Sequence, residues 1–266
     1  MNTRHVRILA ALALTGGLAR GAVAADSNSP WTMSIYGGDS AGMSGELRAP
    51  GTLTIDDLGA LDPALTGTSA TLSLDKLRYD DLFRRHFDTG LELGYAFSDN
   101  LQSFGRFGYD SLGGRSRRIG SFQLEGATAP TPLDAQFADA DNMSLDFGAR
   151  YFFSTSTTWR PYAGASLGAT HLDSIRATIS VPDSTLDVRN VSFTKPSTVF
   201  SQTLETGVEY NPSSAFGVRF SVDADHIGAP RSAHDESLAE LGFDSAHDAA
   251  ARWDFPIAVA ATYHFD

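Results

Sequence analysis

Eight segments of the chain alternate apolar and polar side chains, which is the pattern of a β-strand with one apolar and one polar face. The clearest is residues 253–265, where every second side chain is apolar. A helix would distribute these side chains around its circumference, so the strand interpretation is favoured in each segment. The segments are residues 31–38, 87–98, 101–110, 142–153, 159–169, 200–210, 216–223 and 253–265.

The polar faces of several segments carry full charges, whereas the opposite faces are apolar and rich in aromatic side chains at both strand ends. A water-soluble sandwich seldom needs aromatic side chains in both places. A barrel in lipid turns its apolar face outwards and accepts charges in its lumen. The pattern therefore predicts an all-β fold, a transmembrane up-and-down antiparallel β-barrel of eight strands.

The links between the segments alternate between short and long. Short turns lie near Asp99, Thr157 and Pro212. The long links are residues 40–85, 113–141, 173–195 and 228–252. Links of this length exceed an ordinary hairpin loop, and the alternation is typical of outer-membrane barrels with short periplasmic turns and long extracellular loops.

Two of the long links contain weaker alternation of their own. Residues 52–55 and 70–74 could form a hairpin, and residues 175–181 and 186–193 could form another. Such hairpins either rise above the membrane or join the barrel wall. A ten-stranded barrel is therefore the alternative architecture.

The N-terminus has the features of a secretory signal peptide. Basic residues Arg4 and Arg7 precede a short apolar run, and a small-residue cleavage site ends at Ala24, with Ala25 as the alternative. The run is too short to span a bilayer as a helix. We expect residues 1–24 to be the signal peptide and residues 25–266 the barrel domain, located in the outer membrane after export across the inner membrane.

Composition narrows the possible chemistry. The chain has no cysteine, which excludes disulfides and thiolate metal sites. The formal charge is −12, and it becomes −15 once the three leader arginines, Arg4, Arg7 and Arg20, are removed. So acidic a chain is not expected to bind nucleic acid.

The leader, the eight strands, the loop asymmetry and the aromatic end of the last strand resemble the OmpA-like family of small outer-membrane β-barrels. Tyr263 and Phe265 are similar to the C-terminal signal that the barrel-assembly machinery reads in that family, although Asp266 follows them here. The resemblance implies contact with outer-membrane lipid and lipopolysaccharide, handling by periplasmic chaperones and the assembly machinery, and a monomeric state. Many functions share this architecture, and the function that we expect is a structural or surface-interaction role through the long loops.

The lumen of an eight-stranded barrel is just wide enough for side chains to fill it. Charges in that space are expected to pair with one another and with Tyr36, Tyr162 and Ser166, because an unpaired buried charge is costly. The predicted lumen charges are Glu92, Asp146, Glu205, Glu209 and Asp223, with Arg106, Arg150, Arg160 and Arg219. We interpret them as a polar plug, and a narrow porin-like diffusion channel is the alternative.

Histidines near acidic residues raise the possibility of a lipid-modifying hydrolase at the barrel rim. His226 follows Asp225, and His234 precedes Asp235. No serine in a recognisable nucleophile turn accompanies either pair, and the spacing of Asp244 and His247 is not specific for a metal. The sequence therefore predicts no enzyme, no catalytic residue, no metal site and no cofactor.

Overall fold

The computed structural model describes residues 29–60, 63–154, 158–182, 187–233 and 249–265. The predicted signal peptide at residues 1–24, both candidate cleavage positions and Asp266 lie outside these ranges, and so do His234 and His247 with the acidic residues between them. Within the described ranges, no helix is long and apolar enough to cross a membrane.

Strands account for most of the described chain. They are β1 (Trp31–Ser44), β2 (Glu46–Arg48), β3 (Gly51–Ile55), β4 (Ala70–Leu74), β5 (Leu77–Arg78), β6 (Phe83–Ala96), β7 (Leu101–Gly114), β8 (Ser116–Leu124), β9 (Thr131–Phe137), β10 (Ala140–Phe152), β11 (Trp159–Leu172), β12 (Arg176–Ser180), β13 (Asp187–Ser192), β14 (Thr194–Lys195), β15 (Ser197–Tyr210), β16 (Phe216–Ile227), β17 (Arg231–Ser232) and β18 (Arg252–His264). One helical turn, α1 (Tyr79–Leu82), precedes β6, and two 3-10 turns, Leu58–Ala60 and Pro63–Leu65, lie between β3 and β4.

Eight long strands close into an antiparallel barrel in the order β1-β18-β16-β15-β11-β10-β7-β6. This order is the chain order of the eight strands, so the topology is up-and-down and the predicted fold is confirmed. The first strand closes the barrel by pairing with the last, with Ile35 opposite Ala261. The ten-stranded alternative is wrong, because neither extra hairpin enters the wall.

The extra hairpins build a second sheet beyond the long-loop end of the barrel. Its six strands follow the order β13-β12-β9-β8-β4-β3, and two small pairs, β14-β17 and β2-β5, accompany it. The hairpin of β8 and β9 lies in a link that the sequence analysis treated only as a long loop. These segments pair with one another rather than with the barrel, so β-structure makes up much of the described parts of the first three long links.

The outer surface of the barrel is apolar along its whole height. Exposed apolar side chains come from every barrel strand. Leu91, opposite Ile35, and Val259, opposite Gly37, are two of them. Aromatic rings contact one another at the short-turn end, as in the pairs Trp31–Tyr95, with centroids 4.9 Å apart, and Trp159–Tyr210, 4.5 Å apart. Such a surface is stable in hydrocarbon with rings at the interface.

A separate apolar core lies between the second sheet and the outer ends of the barrel strands. It combines Leu112 of β7 with Ile119 of β8, Phe137 of β9 and Phe193, all at most 3% exposed. The rings of Phe137 and Phe193 are 5.4 Å apart. The outer sheet is therefore packed onto the barrel as a compact cap, which we call the outer cap.

Candidate functional site

The centre of the lumen is occupied by a network of two glutamates and three arginines. Glu92 of β6 accepts hydrogen bonds from Arg106 Nη2 at 3.0 Å and from Arg219 Nη2 at 2.8 Å. Glu205 of β15 accepts from Arg106 Nη2 at 2.7 Å and also from Arg150 Nε. Five different barrel strands supply these side chains, so the network ties the wall together across the lumen.

Arg150 is the most enclosed member of this network. Its Nη1 and Nη2 donate to Oε1 and Oε2 of Glu92, each at 3.0 Å, and Nη1 also donates to Gln102 at 3.0 Å. The Arg150 side chain is 0% exposed and the Glu92 side chain is 1% exposed. Bidentate arginine–carboxylate pairs of this kind are strong and geometrically specific.

Aromatic rings complete the central network. The Arg150 guanidinium lies 4.3 Å from the ring centre of Phe104 and 5.1 Å from that of Tyr162. Arg106 lies 5.1 Å from Phe104 and 5.3 Å from Tyr36. These cation–π contacts fill the space that the ion pairs leave open.

A second closure lies at the short-turn end of the lumen. Arg160 donates to Glu209 at 3.4 Å and to the Asp99 carbonyl oxygen at 2.6 Å, and its guanidinium stacks 3.8 Å from the Phe152 ring centre. Asn211 also donates to Glu209, at 3.1 Å. The lumen is thus occupied by paired polar groups at two successive levels.

The outer half of the lumen contains a cavity of about 60 Å³, which we call the outer chamber. Six aspartates line it: Asp88, Asp110, Asp146, Asp223, Asp225 and Asp254. Arg106 forms part of its floor. Arg252, at the outer end of β18, lies 3.1 Å from Asp254 Oδ2 and 3.5 Å from Asp110 Oδ2.

The nine residues that the sequence analysis placed in the lumen all occur on lumen-facing positions, at different levels. Seven of them form the central network and the short-turn closure: Glu92, Arg106, Arg150, Arg160, Glu205, Glu209 and Arg219. Asp146 and Asp223 line the outer chamber instead. Ser201 Oγ donates to Asp146 at 3.1 Å, and Asp223 Oδ2 lies 3.9 Å from Arg106 Nη1.

The expected hydrogen bonds from Tyr162 and Ser166 to the charges are absent among the described residues. Both hydroxyl oxygens are buried without a hydrogen-bond partner there. Tyr162 instead presents its ring to Arg150, so its contribution is the aromatic face. Ser166 lies opposite Gly148 in the wall, at a lumen-facing position.

The sequence analysis did not predict several of the residues that line the lumen. Phe104 stood out only as an aromatic residue on a polar face, and the structure shows why it is there, between two arginines. Arg252 and Asp254 flank Trp253, and the alternation of β18 was a sufficient signal for placing both inwards. Asp225 is on the same face as Asp223, two residues away in β16, and the sequence analysis considered it only beside His226.

His226 and His171 are not grouped with catalytic partners among the described residues. His226 projects from the outer side of the barrel, with its ring 4.9 Å from that of Trp253 and Nδ1 3.4 Å from Gln202 Nε2. His171 Nδ1 lies 3.1 Å from Thr198 Oγ1. Among the described residues, no three His, Asp or Glu side chains are grouped so as to hold a metal ion.

Two buried polar side chains lie at the base of the outer cap, and one of them, Tyr79, also contacts the lumen residue Arg252. Arg48 Nη2 donates to the backbone oxygens of Ile119 and Asp75 at 2.8 and 2.9 Å, and burial lowers the Arg48 pKa to about 10. Tyr79 Oη donates to the Ala250 carbonyl oxygen at 3.2 Å, and burial raises the Tyr79 pKa to about 12. The Tyr79 ring also lies 5.6 Å from Arg252, so α1 sits at the outer end of the lumen.

Comparison with known families gives one match that covers most of the chain. The family described as outer membrane protein beta-barrel domain matches residues 10–244. No curated protein sequence matches the chain significantly.

Solved structures with similarity to this chain include the following three proteins. Neisserial surface protein A is 13% identical, with 88% of this chain and 96% of that chain covered and a TM-score of 0.38. OprG from Pseudomonas aeruginosa is 15% identical, with 90% and 98% covered and a TM-score of 0.37. Ail, the attachment invasion locus protein of Yersinia pestis, is 14% identical, with 88% and 99% covered and a TM-score of 0.37. Values in this range support no inference about binding or activity.

Proposed function

The chain belongs to the family of outer membrane protein beta-barrel domains, and on this premise we propose that it is a non-enzymatic envelope protein with a closed lumen and an interaction surface above the membrane. The barrel is its anchor in the outer membrane. The outer cap is the part that meets other molecules. The barrel is thus a rigid support, and the outer cap is the surface that it presents.

The observation that carries the proposal is the central network of Glu92, Arg106, Arg150, Glu205 and Arg219. Its side chains reach across the lumen from five strands, and the glutamates are 1% exposed. An ion passing this level has to break several charge-assisted hydrogen bonds at once. A closed lumen is what such packing supports.

The outer cap supports the interaction role because it is a built structure rather than a set of irregular loops. Its six-stranded sheet has two edge strands, β3 and β13. Edge strands present unpaired backbone groups, which other chains can recognise by adding a strand. The apolar core between the cap and the outer ends of the barrel strands keeps these edges in place.

The geometry of the rim argues against a hydrolase. Asp225 lines the lumen, whereas the neighbouring His226 contacts Trp253 on the outer side of the wall. Consecutive residues of a strand point to opposite faces, so this pair cannot act as base and orienting acid. We therefore propose that the described rim has no catalytic role.

The remaining parts of the proposal concern assembly and surroundings. Export by a cleaved signal peptide, periplasmic chaperones and the barrel-assembly machinery bring the chain to the outer membrane, with Tyr263 and Phe265 as the assembly signal. Their rings lie 5.3 Å apart at the end of β18. The mature protein is a monomer surrounded by lipid and lipopolysaccharide, and it does not bind nucleic acid.

Single-channel recording in planar bilayers tests the closed lumen. The purified protein is expected to give no stable openings under conditions in which a known porin conducts. Stable and reproducible openings would contradict the proposal and favour the narrow diffusion channel.

A lipid-hydrolysis assay on the same preparation tests the absence of catalysis. No release of acyl chains from outer-membrane lipid is expected. An activity that disappears in His226→Ala or in His234→Ala would overturn this part of the proposal and favour the rim hydrolase.

A further inference from the structure

The outer chamber carries more negative charge than its neighbours balance. Six aspartates line it, against Arg106 on its floor and Arg252 at its outer end. Arg106 is already hydrogen-bonded to both Glu92 and Glu205. A net negative charge enclosed by a protein wall is unstable unless cations or protons neutralise it.

The strand register increases this imbalance by placing carboxylates opposite one another. Asp225 of β16 is directly paired with Asp254 of β18, and Asp88 of β6 with Asp110 of β7. Like charges at directly opposite positions destabilise a sheet. Arg252 lies near one member of each pair, Asp254 and Asp110, so a single arginine faces these four carboxylates.

Asp223 supplies the observation that points to a ligand. Its side chain lines the outer chamber and the residue is only 7% exposed, yet Oδ1 has no hydrogen-bond partner among the described residues. Ser221 hydrogen-bonds to the carboxylate, and Asp223 Oδ2 lies 3.9 Å from Arg106 Nη1, which is beyond hydrogen-bond distance. A buried carboxylate oxygen without a donor is costly and has free capacity to bind a cation.

Asp225 repeats this arrangement two residues further along β16. Its Oδ1 is buried and has no hydrogen-bond partner among the described residues, while Thr203 bonds to the carboxylate from the neighbouring strand. Residues two apart on a strand project from the same face. Asp223 and Asp225 therefore offer two carboxylate oxygens to the same cavity.

We propose that the outer chamber binds a partly hydrated divalent cation, with Asp223 and Asp225 as its protein ligands and water completing the coordination shell. No group of three acidic or histidine side chains in the described part of the chain converges on one point. A site with one or two carboxylates fits the coordination typical of Mg²⁺, which keeps several waters.

The size of the outer chamber agrees with this ligand. Its volume is about 60 Å³. A cavity needs a volume of roughly 10–15 Å³ to hold one water molecule. The chamber therefore has room for an ion together with a few waters. The bound ion does not depend on whether the lumen conducts, so this inference stands apart from the proposed function.

Titration calorimetry with MgCl₂ tests the proposal. The protein is refolded in an uncharged detergent free of lipopolysaccharide and stripped with EDTA, so that no other group competes for the ion. One saturable site is expected in the wild type. Asp223→Asn and Asp225→Asn, which keep the side-chain size, are each expected to weaken binding at least tenfold.

Asp56→Asn is the matched control, because it removes the same charge from an exposed position in the link after β3. Its affinity is expected to stay within twofold of the wild type. Heat-modifiable migration on a gel verifies that each variant is folded. The proposal would be overturned if the wild type showed no saturable Mg²⁺ binding at neutral pH, or if all four proteins bound Mg²⁺ with equal affinity. Protons would then be what neutralises the aspartates of the outer chamber.

A second measurement needs no variant. Mn²⁺ replaces Mg²⁺ as a paramagnetic probe in NMR spectra of the wild type. Broadening is expected first at the amides of residues 223 and 225, and later or not at all at residue 134, which lies in β9 of the outer cap. Uniform broadening, or broadening confined to the outer cap, would contradict a site in the chamber.

Discussion

Arg150 binds Glu92 through two parallel hydrogen bonds, each 3.0 Å long, although their strands are not neighbours. Strand β7 lies between β6 and β10 in the wall. The pair therefore reaches past β7 on the lumen side and fixes the distance between two strands that share no backbone hydrogen bonds. Contacts of this kind hold the barrel wall against deformation.

Removal of the Arg150 side chain is expected to destabilise the barrel strongly. Arg150→Met leaves Glu92 and Glu205 with fewer donors in a buried position, and breaking a buried ion pair from one side costs about 3–5 kcal/mol. The free energy of unfolding, measured by urea titration in phosphatidylcholine vesicles, is expected to fall by that amount.

Arg118→Met provides the comparison for this variant. Arg118 lies 3.6 Å from Asp134 on the outer cap, with its side chain 64% exposed. Exposed pairs contribute about 0–1 kcal/mol, so little change is expected. Equal losses in the two variants would mean that the central network does not stabilise the barrel more than a surface ion pair does.

Gly164 of β11 is paired with Glu205 of β15, and its lack of a side chain is expected to be essential for the packing of the central network. A Cβ at Gly164 would lie 2.6 Å from Glu205 Oε1 and 2.9 Å from the Ala149 carbonyl oxygen. Gly164→Ala should displace Glu205 and lower the unfolding free energy by about 1–3 kcal/mol, the usual cost of overpacking. In Gly113→Ala a Cβ meets nothing within 4 Å, so a change below about 0.5 kcal/mol is expected. An equally mild effect at Gly164 would contradict the close packing.

The barrel could be predicted from the sequence because a two-residue period assigns every side chain to one of two faces. The same rule placed Glu92 and Arg150 in the lumen without any knowledge of their partners. It could not say which charges meet, since pairing depends on strand stagger and tilt, which the alternation leaves open. It also could not separate the central network from the outer chamber.

The outer cap was harder to predict for a physical reason. Strands such as β4 are only five residues long, and short alternating stretches fit either a wall strand or a free hairpin. What decides between them is the apolar core around Phe137 and Phe193, which forms only when distant links pack together. Phe104 is a similar case, because an aromatic residue on a polar face makes sense only once two arginines are seen beside it.

The link after β3 is expected to respond to acid through Asp57. Its Oδ1 accepts hydrogen bonds from the amides of Gly59 and Gly67, each at 2.8 Å, and these bonds lower the Asp57 pKa below its ordinary value of 3.8. A lowered pKa in the folded state means that the bonds are intact above that pKa and are lost as the pH falls through it. NMR shifts of the two glycine amides should therefore titrate with a midpoint below 3.8.

Asp57→Asn is expected to abolish this titration, because the amide side chain has no acidic proton to gain. Asp56→Asn should leave it unchanged, since Asp56 is not bonded to either glycine. A midpoint at or above the ordinary aspartate pKa in the wild type would show that the two backbone bonds do not stabilise the charged form.

The outer cap is expected to unfold locally while the barrel remains intact. Phe137 is 1% exposed in the cap core, and Phe→Ala in such a position costs about 3–5 kcal/mol, more than a small peripheral sheet can lose. In Phe137→Ala, trypsin should therefore cleave after Arg117 in β8 at a much higher rate, while heat-modifiable migration of the barrel persists. Val188→Ala, at an exposed position in β13, should keep the wild-type cleavage rate. Loss of the cap core alone leaves the wall pairing and the central network untouched. If Phe137→Ala also abolished heat-modifiable migration, the cap and the barrel would therefore unfold as one cooperative unit, which would contradict this prediction.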